Sequence, residues 1–197
     1  GKEALTLNTT GTSNTAVGMN CLLNNTTAND NTGIGYYALA ANTTGASNTG
    51  LGKGAVRGNT TGSNNTGVGK DALNSNTTGA SNTALGFNTL RFNTTGNNNT
   101  AVGGGAMWAN TTGSNNVAIG DDALQANTTA SNNTAVGYQA LYDFVGSGNS
   151  YNTAIGWSSM ANTTTGAANT SVGYNMVTNT TGSYNTALGH NALHSNT

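Results

Sequence analysis

Side chains that could do chemistry are few in this chain. Cys21 is the only cysteine, Asp121–Asp122 is the only adjacent acidic pair, and the two histidines, His190 and His194, both fall in the last repeat. The histidines have no acidic or cysteine neighbour to complete a metal site. The aspartate pair has no further acidic cluster nearby to cage calcium. Cys21 stands where alanine is usual, and is expected to be a small core filler. No phosphate-binding loop of the G-x-x-x-x-G-K-[ST] type occurs. The chain is therefore read as no enzyme, without cofactor or metal.

Two other groups of residues could carry function. Aromatic rings recur at one repeat position in Tyr36, Phe87, Tyr138, Trp157 and Tyr174. A longitudinal stripe of rings could contact a neighbouring chain, or serve as a platform for surface glycans. Asn-Thr-Thr triplets begin at Asn8, Asn25, Asn42, Asn59, Asn76, Asn93, Asn110, Asn127, Asn162 and Asn179. Each is formally an N-glycosylation sequon. Read structurally, the same triplets are turns whose asparagines stack. Threonine and asparagine ranks on a weakly charged surface also admit an ice-binding reading. Against that reading, the two threonines of each triplet are adjacent, so on a strand they would point to opposite faces.

Composition narrows the choice. Charged residues make up 6% of the 197, against roughly 25% in ordinary soluble proteins. Five basic residues oppose six acidic ones, for a net charge of -1. Without a basic patch, nucleic acid is not an expected partner. Near-zero net charge favours association. No run of apolar residues is long enough to span a membrane. Asn-rich polar sequence raises the question of disorder, but strict periodicity answers it.

The repeat is 17 residues long. Counted from the asparagine before each small-aliphatic-glycine triplet, coils begin at residues 14, 31, 48, 65, 82, 99, 116, 133, 152, 169 and 185, after a partial coil at 1–13. The consensus is N-T-A-V-G-x-x-A-L-x-x-N-T-T-G-x-x. Position 4 is always aliphatic: Val17, Ile34, Leu51, Val68, Leu85, Val102, Ile119, Val136, Ile155, Val172 and Leu188. Position 9 is always apolar, with Leu22, Leu39, Leu73, Leu124 and Leu141 among its members. Invariant glycine at position 5, with Thr and Asn throughout, argues against helix. Two short strands per coil are expected, near positions 1–4 and 7–10, joined by tight corners. Stacking would then place the two apolar positions in two facing core ladders. Asparagines at positions 1 and 12 would form hydrogen-bonded ladders of their own. The expected fold is all-β: a parallel β-solenoid, or β-roll, of about eleven coils forming one domain over 1–197. At a coil spacing of about 4.8 Å its length is roughly 55 Å.

The run Asn-Thr-Ala-Val-Gly, then Ala-Leu, then Thr-Gly and a returning Asn, resembles the head repeats of trimeric autotransporter adhesins. The stretch Asn133 to Leu141, N-T-A-V-G-Y-Q-A-L, is similar to shaft repeats of phage tail fibres and related bacterial surface proteins. The resemblance covers essentially the whole chain. It implies a left-handed parallel β-roll that trimerises, at a cell surface, outside the cell or on a virion.

The ends and one interruption complete the reading. Gly1 and Thr197 both fall inside consensus repeat, so no capping coil is evident. Open β edges invite pairing. The chain is thus expected to be a segment of something longer, or to stack head to tail with copies of itself. Residues 143–151 replace the expected Asn-Thr-Thr with Asp-Phe-Val-Gly-Ser-Gly-Asn-Ser-Tyr, read as a bulged corner loop. Together these features point to a self-associating extracellular fibre or adhesin-like rod. A glycan- or receptor-binding module and an ice-binding protein are the alternatives.

Overall fold

A computed structural model describes residues 1–174 and 181–193. It is a parallel β-solenoid with no helix among the described residues. Each coil adds one three-residue strand to a single sheet. These are β1 (Thr15–Val17), β2 (Thr32–Ile34), β3 (Thr49–Leu51), β4 (Thr66–Val68), β5 (Thr83–Leu85), β6 (Thr100–Val102), β7 (Val117–Ile119), β8 (Thr134–Val136), β9 (Thr153–Ile155), β10 (Thr170–Val172) and β11 (Thr186–Leu188). The order in the sheet is the order in the chain. Pairing puts like on like: Thr32 opposite Thr49, Gly33 opposite Gly50, Ile34 opposite Leu51. The register survives the longer coil at 133 and the shorter one at 169.

The second expected strand, at positions 7–10, is not present among the described residues. That segment is a run of tight turns in which position 7 and position 9 both take positive φ, as in Tyr37 (58°) and Leu39 (53°). Inter-coil hydrogen bonding continues through it nonetheless. In the coil starting at Asn31, the amides of Leu39, Ala41 and Thr43 donate to Ala55, Arg57 and Thr60 in the next coil, at 3.0, 3.0 and 2.9 Å. The intervening amides of Ala38, Ala40 and Asn42 donate three residues back within the coil, at 3.3, 3.4 and 3.1 Å. Alternate amides thus build the stack and close the turns. A left-handed conformation at a non-glycine residue costs about 1–3 kcal/mol. Full burial of a large aliphatic side chain contributes about 1.5–3 kcal/mol, and the inter-coil bond adds to it. Even β-branched Val56 is held this way at φ 51°, fully buried.

The core has one large apolar ladder, not two. Leu22, Leu39, Val56, Leu73, Leu90, Met107, Leu124, Leu141 and Met160, all at position 9, are fully buried. The position 4 residues are outside. Val17, Ile34, Leu51, Leu85, Ile119, Ile155 and Leu188 are exposed, and Val68, Val102, Val136 and Val172 are half-buried. In a three-residue strand, positions 2 and 4 share one face and position 3 takes the other. The inward side chain is therefore the small one, such as Ala84, Ala101, Ala118, Ala135 and Ala154, each fully buried. Space explains the choice. A Cβ on Gly33 would lie 2.5 Å from Cys21 Sγ, and one on Gly67 would lie 2.6 Å from Val56 Cγ2. Position 3 is opposed by the position 8–9 side chains of the preceding coil, and only Gly, Ala or Ser fits. Where serine occupies both, Ser159 Oγ donates to Ser171 Oγ at 2.8 Å inside the core.

The invariant glycine at position 5 ends the strand with φ between 120° and 144°. At Gly52 (φ 131°) a Cβ would come within 2.7 Å of the next coil's Gly69 carbonyl oxygen, so coil spacing itself excludes a side chain here.

This arrangement separates two leucines in neighbouring coils. Leu39→Ala removes a fully buried side chain and is expected to lower stability by about 2–5 kcal/mol. Leu51→Ala, on the outer face, is expected to change it by less than ~1 kcal/mol. Urea unfolding of both variants in dilute solution, followed by circular dichroism, checks this. Equal losses would mean that both positions are core.

Candidate functional site

Two buried polar ladders replace what would otherwise be loop. At position 12, each Asn Nδ2 donates both to the Oδ1 of the previous coil's asparagine and to a carbonyl three residues on. For Asn76 these are Asn59 Oδ1 at 2.8 Å and the Gly79 oxygen at 2.9 Å. The ladder runs from Asn8 to Asn127 without a gap. At position 1, each Oδ1 accepts the main-chain N–H of the next coil's asparagine, as in Asn48 to Asn31 at 2.9 Å. The Nδ2 reaches the position 15 carbonyl of its own coil, as in Asn48 to Gly62 at 2.9 Å. These amides satisfy corner groups that water would otherwise have to reach.

The ladder explains where the sequons lie. Asn25, Asn42, Asn59, Asn76, Asn93, Asn110 and Asn127 are fully buried. The nitrogen a glycan would occupy already donates twice, and a sugar there would displace the rung. Asn8 is half-buried and donates to the Gly11 oxygen at 2.9 Å. Asn162 is exposed, because its triplet is shifted by one residue and Thr163 takes the buried place. Asn179 lies outside the described residues, as do Val177 and His194. The ladder stops at residues 143–151, where Phe144 enters position 12 and is fully buried. Gly146 makes room for its ring, since any Cβ there would overlap it. A phenyl ring donates nothing, and Asn127 Oδ1 and Thr163 Oγ1 on either side are left without partners.

The aromatic stripe at position 6 comes together as the spacing suggests. Tyr138, Trp157, Tyr174 and His190 form one continuous stack, with ring centres 5.6, 4.9 and 5.0 Å apart and planes within 20° of parallel. Tyr36 packs edge-on against Tyr37 at 4.5 Å with Lys53 Nζ 5.9 Å away, and Phe87 carries Lys70 Nζ at 5.0 Å. Rings stacked along the rod turn their faces toward one another and their edges outward. Flat faces of the kind a sugar would lie on are therefore covered within the stack.

The feature that sequence reasoning assigned to the wrong side is the largest one. Position 4 forms an unbroken outward rank of Val, Ile and Leu along the sheet. Beside it runs a rank of threonines at position 2, with Val117 the one exception; they are exposed at Thr15, Thr170 and Thr186 and half-buried elsewhere. One glycine separates position 4 from the position 6 side chains, so the two ranks make one long, weakly charged strip. The signal was available: a strand of three residues has two outward positions and one inward, and only the inward one is always small.

No group of three or more His, Cys, Asp or Glu lies together among the described residues. Cys21 is fully buried, and that burial pushes its thiol above the ordinary value. No helix among the described residues is long and apolar enough to cross a membrane. Comparisons with protein-family models, with curated proteins and with solved structures find no match to this chain.

Two measurements test this description. Asn76→Ala leaves Asn59 Oδ1 buried without a donor, while the Gly79 oxygen keeps the amide of Asn65, and is expected to cost about 1–3 kcal/mol. Asn97→Ala, whose partners face water, is expected to stay below ~1 kcal/mol in the same urea titration. Cys21 should react with a thiol reagent at pH 8 at least a hundredfold more slowly in the native protein than in urea. Comparable rates would place it at the surface.

Proposed function

We propose that this chain is a structural rod, extracellular or on a cell or virion surface, that works by associating with further copies of itself. The observation that carries the reading is the outward aliphatic rank at position 4. Isolated exposed apolar residues are ordinary, but a contiguous strip is a mark of an interaction surface. A second copy fits the strip because it has the same period: a contact matched at one coil is matched at every coil. Eleven charged residues balanced to -1 offer little repulsion to such pairing. The repeat's resemblance to adhesin heads and tail-fibre shafts supports the surface location. Rigidity follows from the hydrogen-bonded stack and the asparagine ladders, and no chemistry is required of any side chain.

The test is to change the strip without touching the core. Ile34, Leu51, Leu85 and Ile119 are replaced together by threonine, which keeps strand propensity. The native chain should sediment as a multimer, and the variant, with unchanged circular dichroism, as a monomer. A native chain that stays monomeric at 100 μM (a concentration chosen for the assay) would sink lateral association.

The same face carries a second reading. Its outward threonine rank does not share the difficulty of the Asn-Thr-Thr triplets, because positions 2 and 4 lie on one side. An ice-binding protein would present such a face free, as a monomer, and would show thermal hysteresis that Thr66→Tyr and Thr100→Tyr abolish. The glycan-binding reading draws less support, since the stacked rings offer edges.

A further inference from the structure

The aromatic stripe contains one notch. Gly104 stands at position 6, where other coils carry Tyr36, Phe87, Tyr138 or Trp157, and Gly105 follows it. The absent side chains leave a cavity of about 290 Å3, lined by Phe87 one coil before, Asp121 and Asp122 one coil after, and Trp108 at the flank. Lys70 covers one face of Phe87 at 5.0 Å from the ring centre, so the opposite face turns toward the coil of Gly104. Trp108 is braced edge-on by Phe92, with ring centres 4.7 Å apart at 83°. The carboxylates lean into the vacated space. A Cβ on Gly104 would lie 2.5 Å from Asp121 Oδ1, and one on Gly105 would crowd Asp122 Oδ1.

The dimensions suit one flat group. Phe87 and Asp121 are two coils apart, about 9.6 Å at the usual inter-strand spacing. The same stripe accommodates one ring per coil at 4.9–5.6 Å between Tyr138, Trp157 and Tyr174. The charge suits a cation. Among the described residues the one ion pair is Lys70 with Asp71, at 3.8 Å. Asp121 and Asp122 face the notch uncompensated. Burial, and then the charge of Asp121, hold the Asp122 carboxyl above its ordinary value, against hydrogen bonds from Gln125 and Gln139. Elsewhere the chain itself places a cation over a ring, with the Arg57 guanidinium 4.7 Å from the Tyr37 centre.

We propose that this notch binds a guanidinium group, stacked on Phe87 and donating to the carboxylates of Asp121 and Asp122. A guanidinium is planar, stacks on aromatic faces and offers a fork of N–H donors to carboxylates. A lysine ammonium would satisfy the charge but leave the flat gap unfilled. The bearer is either a small guanidinium compound or an arginine side chain of a polypeptide, and both present the same chemistry.

The experiment follows the indole N–H signals of Trp108 and Trp157 by NMR, assigned with Trp157→Phe, during titration with arginine methyl ester. Citrulline methyl ester, which keeps the α-amino group but has a neutral urea in place of the guanidinium, is the control. A saturable shift of Trp108 with the arginine ester and none with the citrulline ester is expected. The double variant Asp121→Asn, Asp122→Asn should weaken binding at least tenfold. Gly104→Tyr should abolish it by filling the gap. That variant is compatible with the fold, because rings occupy this position in other coils and the Asp121 carboxylate can swing aside. Repeating the titration with a capped Gly-Arg-Gly peptide separates the sources: tighter binding than the ester assigns the site to a polypeptide partner, and equal binding to a small compound. No saturable shift of Trp108, equal shifts with both esters, or binding undiminished in the double variant would each overturn the proposal. None of these outcomes depends on whether rods associate.

Discussion

The interaction on which the rest depends is the hydrogen bond from one coil to the next, made by main-chain amides all around the circuit. It holds in the strand, where Thr32 donates to Asn48 at 2.8 Å, and in the turns, where Leu39 donates to Ala55 at 3.0 Å. Once these amides are committed this way, every position of a coil must lie over the same position of its neighbour. Any residue type used at a position is then used as a ladder. What a ladder tolerates is decided by the roughly 4.8 Å between rungs: glycine where carbonyls crowd, asparagine where amides can chain, leucine where side chains stack in a thin interior.

That constraint also explains why strain is tolerated so widely. Positive φ recurs at positions 7, 9 and 17 in coil after coil, at residues as unsuited to it as Leu and Val. A single such residue in a globular protein would invite a local explanation. Here the turn is repeated because the stack rewards it each time: a buried side chain and an inter-coil bond offset a left-handed backbone. The alternation of turn-closing and stack-building amides lets a coil of 17 residues close with only three of them in a strand.

Interruptions show how far the rule bends. Phe144 takes an asparagine's place in the position 12 ladder and stays fully buried, with Asn127 and Thr163 unsatisfied on either side. Apolar burial there compensates for lost amide pairing, and sheet register passes through unchanged between β8 and β9. Ser159 and Ser171 do the reverse, placing a hydroxyl pair within an otherwise apolar interior. The stack absorbs both because each coil answers mainly to its two neighbours.

The sequence by itself determined the period, the parallel stacking, the asparagine ladders and the burial of position 9 from Leu22 to Met160. Each of these follows from a residue type repeated at a fixed spacing, and spacing is what a linear string records. It also placed Tyr138, Trp157 and Tyr174 on one line, though not the orientation of their rings. The side of the sheet on which position 4 lies was decided only by the tertiary structure. Hydrophobicity alone favoured the interior for Val17, Ile34 and Leu51, but a three-residue strand sends positions 2 and 4 the same way. The interior has room only for the Gly, Ala or Ser of position 3 beneath Leu22 and its counterparts. The same holds for the second strand, which the apolar pattern suggested and the left-handed turns replaced. It holds too for how deeply the sequons are buried: Asn25, Asn42, Asn59, Asn76, Asn93, Asn110 and Asn127 are fully buried, whereas Asn162 is exposed. Which face of a repeat is inside depends on how the coil closes, and closure is set by backbone dihedrals that the order of residues does not display.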